Sequence, residues 1–210
     1  LDAGIIPFST LKYLEDKKYW KHWFPANLVI EMREQIRLWF YSLLFMAVTL
    51  ENEPPYDNIL AYEKVHDEKG KPMHKSWGNA IWFDEAVEKM GADVMRWMYM
   101  TAHPQYNMNF GYTPATVNQR ILTNLFNLTN YLFQFVDEKP TKPKLELEDK
   151  WMLSKLNTTI KDVTDSLDKL KPHQATKNIQ NLFSTEISRT YVQFIRSRIQ
   201  TATGKNREAA

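Results

Sequence analysis

A Lys-Ser pair inside a short Gly-bearing loop, Lys71-Pro72-Met73-His74-Lys75-Ser76-Trp77-Gly78-Asn79, is the stretch of this 210-residue chain best suited to chemistry. It offers Lys75 as a mobile ammonium, Ser76 as a hydroxyl beside it, and backbone N–H groups where the pattern turns helical. That combination suits polyphosphate, because amides at a helix start and a nearby cation neutralise developing negative charge. A lone exposed Lys is ordinarily a solubilising surface residue; the Met-x-Lys-Ser-x-Gly-Asn surround raises Lys75 above that. Asp67-Glu68-Lys69-Gly70 supplies the turn that leads in.

Other candidates carry blander alternatives. Glu31, Glu34 and Gln35 form a polar group ahead of an apolar helix. They read as an acidic first turn favoured by the macrodipole, or as a carboxylate and amide set for a ribose or amino group. Trp39 reads as core, or as the wall of a small apolar pocket. Arg189, Arg196 and Arg198, with Tyr191 and Gln193 between them and Lys205 and Arg207 beyond, make a basic stretch. Such a stretch is a solvated helix face unless it borders a nucleotide site, where cations, amides and aromatics suit RNA. The His count is 5, and no pair has metal-ligand spacing, so no metal and no zinc site is assigned.

Composition sets the frame for these groups. The chain is 43% hydrophobic, enough for a sizeable core in one or two domains, and Gly at only 6 favours helices. A formal charge of +2 advertises no global nucleic-acid field, so any such role rests on a local patch. Cys is 0, which excludes disulfides and thiol catalysis and fits a reducing, cytoplasmic setting. The longest apolar run, Leu38 to Leu50, is too short to span a bilayer, and no signal peptide is visible. Leu1 is not an initiator residue, and the abrupt start suggests a fragment.

The elements expected to position these groups change in character along the chain. Residues 1–32 read as irregular. Ile36, Trp39, Phe40, Leu43 and Leu44 predict a helix from Arg33 to Leu50, stopped by Pro54-Pro55. Asn58 to His66 predicts one buried strand, and helices are expected over Asp84–Met90 and Asp93–Thr101, parted by Gly91. Thr113-Pro114 reads as an N-cap and first helical position. The helix it opens carries Val117, Ile121, Leu125, Leu128 and Leu132. A Lys/Pro connection follows around Pro140 and Pro143. A helix with Met152, Leu156, Ile160, Val163, Leu167 and Leu170 then runs to Pro172, and a last one spans Ile179 to Ile195. The fold class expected is mainly α with an α/β portion, a partial Rossmann-like layer over 1–112 followed by an antiparallel helical bundle over 113–210.

In order, these pieces resemble the class I aminoacyl-tRNA synthetases, and among them the isoleucyl-tRNA synthetases. Asp2-Ala3-Gly4 with Pro7-Phe8 resembles the end of their Trp-Phe-Asp-Ser-Gly segment. Glu31-x-x-Glu34-Gln35-x-Arg37-x-Trp39-Phe40-Tyr41 resembles the adenylate-binding stretch, and Met73-His74-Lys75-Ser76-x-Gly78-Asn79 resembles the Lys-Met-Ser-Lys-Ser signature. Gly91-Ala92-Asp93-x-x-Arg96 follows at the family's distance. Trp151-x-Leu153-Ser154-x-Leu156-Asn157 and Ile187-Ser188-x-x-Tyr191 look like the anticodon-binding helices. The resemblance implies ATP and isoleucine as substrates, Mg²⁺ with the ATP, and tRNA as partner. It gives Lys75 to the ATP phosphates, with Ser76 and Met73 shaping the loop. Glu31, Glu34 and Gln35 go to the adenylate and Trp39 to the isoleucine side chain.

The sequence also departs from that pattern. Pro72 and His74 stand where the signature has Lys and Ser; Met32 and Leu38 stand where Gly is usual, and Glu34 where Asp is. Glu63 replaces a Gly, Tyr62 a common His, and Phe83 a Pro. No His-x-Gly-His motif occurs, so an N-terminal catalytic half is expected to be missing and the chain alone to be inactive. The competing expectation is a non-catalytic module that binds tRNA or a protein partner, with valyl and leucyl relatives as alternative kin.

Overall fold

Two short strands lying parallel carry the first candidate residues: β1 (Val29–Met32) pairs with β2 (Ile59–Tyr62), Val29 opposite Ile59 and Met32 opposite Tyr62. The computed structural model describes residues 2–134 and 144–201, apart from the side chains of 200 and 201. The connection around Pro140 and Pro143 and the tail with Lys205 and Arg207 lie outside the described residues. The described chain is mainly helical with small sheets. It divides into two compact units, Leu1–Val65 with His103–Met108, and His66–Ala102 with Asn109–Ala210.

The first unit is built on aromatic packing. Residues 1–32, expected to be irregular, instead hold a 3₁₀ turn (Asp2–Ile5), α1 (Ile6–Ser9), α2 (Lys17–Trp23) and β1. Helices of four and seven residues are too short to show a period. Trp20 is fully buried, stacked on Phe24 at 4.5 Å between ring centroids and packed on Phe8. Its indole N–H is satisfied by Pro7 C=O at 3.1 Å, as a buried indole requires. Asp16 caps α2 by accepting the Tyr19 N–H at 2.9 Å. Gly4 sits where the chain presses on the next helix: a Cβ there would lie 2.5 Å from the Ser42 carbonyl oxygen.

The single helix expected over Arg33–Leu50 is two elements. Arg33–Arg37 is a 3₁₀ helix, Leu38 leaves helical geometry (φ −119°, ψ −99°), and α3 runs Trp39–Glu51. Asn52, left-handed at φ 56°, closes it. The expected strand over Asn58–His66 is likewise two, β2 and β3 (Val65–Asp67), neither fully buried. The break follows a change of partner. β2 lies on β1, whereas Glu63 N–H bonds Pro104 C=O at 2.9 Å and β3 pairs with β4 (Met108–Phe110).

In the second unit α4 (Phe83–Met90) and α5 (Ala92–Thr101) appear where expected, parted by Gly91 at φ 85°. α6 (Tyr112–Phe133) begins earlier than Thr113-Pro114 implied, because Gly111 is its N-cap. The Glu68 carboxylate reaches in from outside to accept the Thr113 N–H at 3.1 Å. A Cβ on Gly111 would lie 2.7 Å from that same carboxylate. α7 (Leu147–Asp168) buries Met152 but leaves Leu156, Ile160 and Leu167 exposed, so its expected apolar stripe is only partly used. Pro172 opens α8 (Pro172–Asn181) rather than merely ending α7. The last helix expected is continuous but not uniform. A π-helical stretch over Leu182–Tyr191 separates α8 from α9 (Val192–Thr201). Ala175, Phe183, Val192, Ile195 and Ile199 are buried along it.

Candidate functional site

The signature loop is shaped by two side chains. Asp67, at the end of β3, accepts the N–H groups of Lys69 (3.0 Å) and Lys71 (2.8 Å), and Gly70 at φ 78° makes the tight turn between them. Asn79 closes the far end. Its Oδ1 accepts the His74 N–H at 2.9 Å, and its Nδ2 donates to Pro72 C=O at 3.0 Å and to Asp67 Oδ2 at 2.9 Å. The Asn79 amide, then the Lys71 and Lys69 backbone, hold the Asp67 carboxyl below the usual range.

Between these anchors Lys75–Trp77 forms one 3₁₀ turn ended by Gly78 at φ 67°, a left-handed position that suits Gly. Lys75 and Ser76 are exposed and Met73 is half-buried beneath them. Lys75 Nζ sits 4.6 Å from the Trp82 ring centroid, and among the described residues no carboxylate lies within ion-pair reach of it. A cation resting on an aromatic face is held by about 0.5–1 kcal/mol at an exposed site, little enough to be released to a phosphate. His74 lays its ring 4.2 Å from that of Trp77.

In the first unit Glu31 lies in β1, and Glu34 and Gln35 in the 3₁₀ helix that follows it. Glu31 accepts the Met32 N–H at 3.1 Å and lies beside Tyr62, whose hydroxyl is pushed up by burial and by the Glu31 charge. Glu34 pairs with Lys64 at 2.8 Å, which holds its carboxyl below the ordinary range, and Arg33 pairs with Glu63 at 2.8 Å. Glu63 is thus an ion-pair partner, its side chain 13% exposed. Gln35 Oε1 accepts the Trp39 N–H at 3.2 Å, and the Trp39 indole N–H bonds Ala3 C=O at 3.0 Å. Sequence reasoning named these four residues but missed Lys64 as the cation that holds Glu34.

The basic stretch on the last helix separates into two roles. Arg198 is turned inward, 25% exposed, with Nη1 and Nη2 on Asp149 at 3.0 and 2.5 Å and Glu148 at 3.5 Å. Tyr191 donates to the same Asp149 at 2.9 Å. Burial opposes the Asp149 charge, yet Arg198, the Glu146 N–H and Tyr191 outweigh it and lower its carboxyl. Burial and then Asp149 push the Tyr191 hydroxyl up to about 12. Arg189 and Arg196 remain exposed and make no ion pair among the described residues. They flank a groove of 380 Å³ lined also by Asn124, Asn127, Ser184, Ser188 and Gln193, with no carboxylate among its described lining. Among the described residues the basic face expected here therefore reduces to Arg189 and Arg196. The amides of α6 that complete it carried no sequence signal beyond their polarity. Among the described residues no group of three or more His, Asp or Glu is placed to hold a metal ion.

This architecture is similar to a solved LeuRS from Agrobacterium radiobacter in ternary complex with tRNA and LeuAMS. The TM-score is 0.75 over 99% of this chain and 28% of that one, at 18% identity. The fold is thus that of the matching part of that structure. In sequence, residues 1–111 match the tRNA synthetases class I (I, L, M and V), and residues 149–210 match the anticodon-binding domain of tRNA ligase. The chain belongs to the class I tRNA synthetases of the I, L, M and V group. Relatives include the isoleucine–tRNA ligases of Methanothermobacter marburgensis, 32% identical over 94% of this chain and 20% of that protein, and of Thermococcus kodakarensis, 32% identical over 94% and 19%. The chain spans about one fifth of the length of the curated relatives it matches.

Proposed function

We propose that the polypeptide carrying this chain is an isoleucine–tRNA ligase, of which residues 1–112 are the later part of the catalytic domain and 113–210 the tRNA-binding helices. In this reading β1 and β2 belong to a Rossmann-like layer, and α6, α7 and the α8–α9 run form an antiparallel bundle. The isoleucine carboxylate attacks the α-phosphorus of ATP, supplied with Mg²⁺, and the bond to pyrophosphate breaks. Lys75 meets the negative charge that develops on the departing phosphates, which is where a cation stabilises a transition state rather than a ground state. A ribose hydroxyl of tRNA then attacks the adenylate carbonyl and AMP leaves. Glu31, Glu34 and Gln35 serve the adenylate, and Trp39 borders the isoleucine side chain. A pocket of this kind discriminates a single methylene by only about 1–3 kcal/mol.

The observation that carries the reading is the loop itself: a Lys free of carboxylate partners among the described residues, on a turn clasped at both ends, in a chain of this family. ATP–pyrophosphate exchange tests it. The 210-residue chain lacks His-x-Gly-His and is expected to show no isoleucine-dependent exchange by itself; turnover by it would contradict the division of labour proposed. The absence of Cys, and of any described helix long and apolar enough to cross a membrane, fits a cytoplasmic setting. A second reading, a non-catalytic tRNA-binding module, is favoured by the acid-free groove at Arg189 and Arg196. It predicts tRNA binding without any exchange in the polypeptide that carries the chain.

A further inference from the structure

Asn79 makes three hydrogen bonds with one amide, and each goes to a different part of the loop: the His74 N–H, the Pro72 carbonyl and the Asp67 carboxylate. Asp67 in turn holds Lys69 and Lys71. The residue at each end of the loop is therefore bonded to the other, and the segment from Pro72 to Gly78 is strung between them. The Lys75 ammonium hangs from this frame with no hydrogen bond or ion pair among the described residues, only the Trp82 ring 4.6 Å away.

We propose that Asp67 and Asn79 are the positioning pair of the signature loop: their side-chain clasp sets the backbone from which Lys75 reaches a polyphosphate. Neither touches the phosphate. This rests on the reading of Lys75 as the phosphate cation. The clasp has a direction, since the amide Nδ2 must donate and the carboxylate must accept. An Asn79→Asp change keeps an acceptor for His74 but sets two carboxylates face to face. Adding Asp67→Asn restores the 67–79 donor–acceptor pair with the roles exchanged, though not the bond to the Pro72 carbonyl. A role that depended only on bulk at position 79 would not respond to that exchange.

Two measurements on the 210-residue chain decide the matter. The first is isothermal titration with inorganic tripolyphosphate, on the parent chain and on Lys75→Ala, Asn79→Ala, Asn79→Asp and the double Asp67→Asn/Asn79→Asp. Lys75→Ala should abolish binding, Asn79→Ala and Asn79→Asp should weaken it about tenfold or more, and the double change should recover part of that loss, the bond to the Pro72 carbonyl staying absent. The second is the exchange rate of the His74 amide, which should rise about a hundredfold in Asn79→Ala as its hydrogen bond is lost, with the rates in α4 and α5 unchanged. Parent-like binding by Asn79→Ala, or no recovery in the double variant, would overturn the positioning role. Unchanged His74 exchange in Asn79→Ala would overturn the clasp. Failure of the parent chain to bind tripolyphosphate would overturn the phosphate reading of Lys75, and His74 exchange would still judge the clasp.

Discussion

Replacing Asp149 by Ala should destabilise the second unit by about 4 kcal/mol. The carboxylate is 5% exposed and accepts four hydrogen bonds: two from Arg198, one from Tyr191 and one from the Glu146 N–H. Removing one partner of a buried ion pair costs about 3–5 kcal/mol, because the other charge is left behind. Glu148, 3.5 Å from Arg198, takes up part of the loss and places that contribution near the lower figure, about 3 kcal/mol. The Glu146–Asp149 capping box at the start of α7 adds about 1 kcal/mol. In urea, with a slope of about 2 kcal/mol/M, the midpoint should fall by about 2 M. The double variant Asp149→Ala/Arg198→Met removes both charges and should recover at least half of the loss. Circular dichroism in urea, read on all three proteins, is sufficient. A single-variant loss below about 1 kcal/mol, or a double variant no more stable than the single, would refute the assignment of Arg198 to the interior. The pH dependence follows the same pair. The folded Asp149 carboxyl is lowered, so its contribution is complete above about pH 4 and is lost as pH falls through the folded value. Asp149→Asn should remove that acid-side slope.

Three further outcomes follow from other parts of the chain. Gly4→Ala sets a Cβ 2.5 Å from a backbone carbonyl oxygen in the first unit, and urea denaturation should show a loss of about 1–3 kcal/mol. Arg189→Ala with Arg196→Ala should reduce the slope of log affinity for tRNA against log salt by about 1.4–1.8 while leaving stability unchanged; an unaltered slope would make both an ordinary solvated face. Lys64→Met should raise the Glu34 carboxyl toward its ordinary value, since Lys64 is the first cause of its lowering, and carboxyl NMR against pH reads this directly.

How far the sequence foretold this structure depended on the range of the interaction. Gly91 was legible as the break between α4 and α5 because its left-handed backbone is a local requirement. The Gly-bearing loop was legible for the same reason: Lys75 and Ser76 lie in one short turn that Gly78 closes. Where a partner lay far along the chain, the local reading failed. The strand expected over Asn58–His66 divides because β2 and β3 have different neighbours, and alternation within a strand says nothing about that. Thr113 looked like a cap, but the cap is supplied by Glu68, 45 residues away. Arg198 read as part of a solvated basic helix face, until a 49-residue separation closed to a bidentate pair with Asp149. The π-helical stretch escaped because its apolar positions, Phe183 and Ile187, also fit an α-helical period.

Isoleucine-dependent ATP–pyrophosphate exchange by the polypeptide that carries this sequence, compared with its Lys75→Ala variant, tests the central claim most directly. The account predicts exchange with isoleucine above that with valine or leucine. It also predicts a fall of about 10²-fold or more in kcat on removing the Lys75 ammonium, the scale of losing one preorganised charge-stabilising group. Exchange that ignores isoleucine, or a Lys75→Ala enzyme with parent-like kcat, would contradict it.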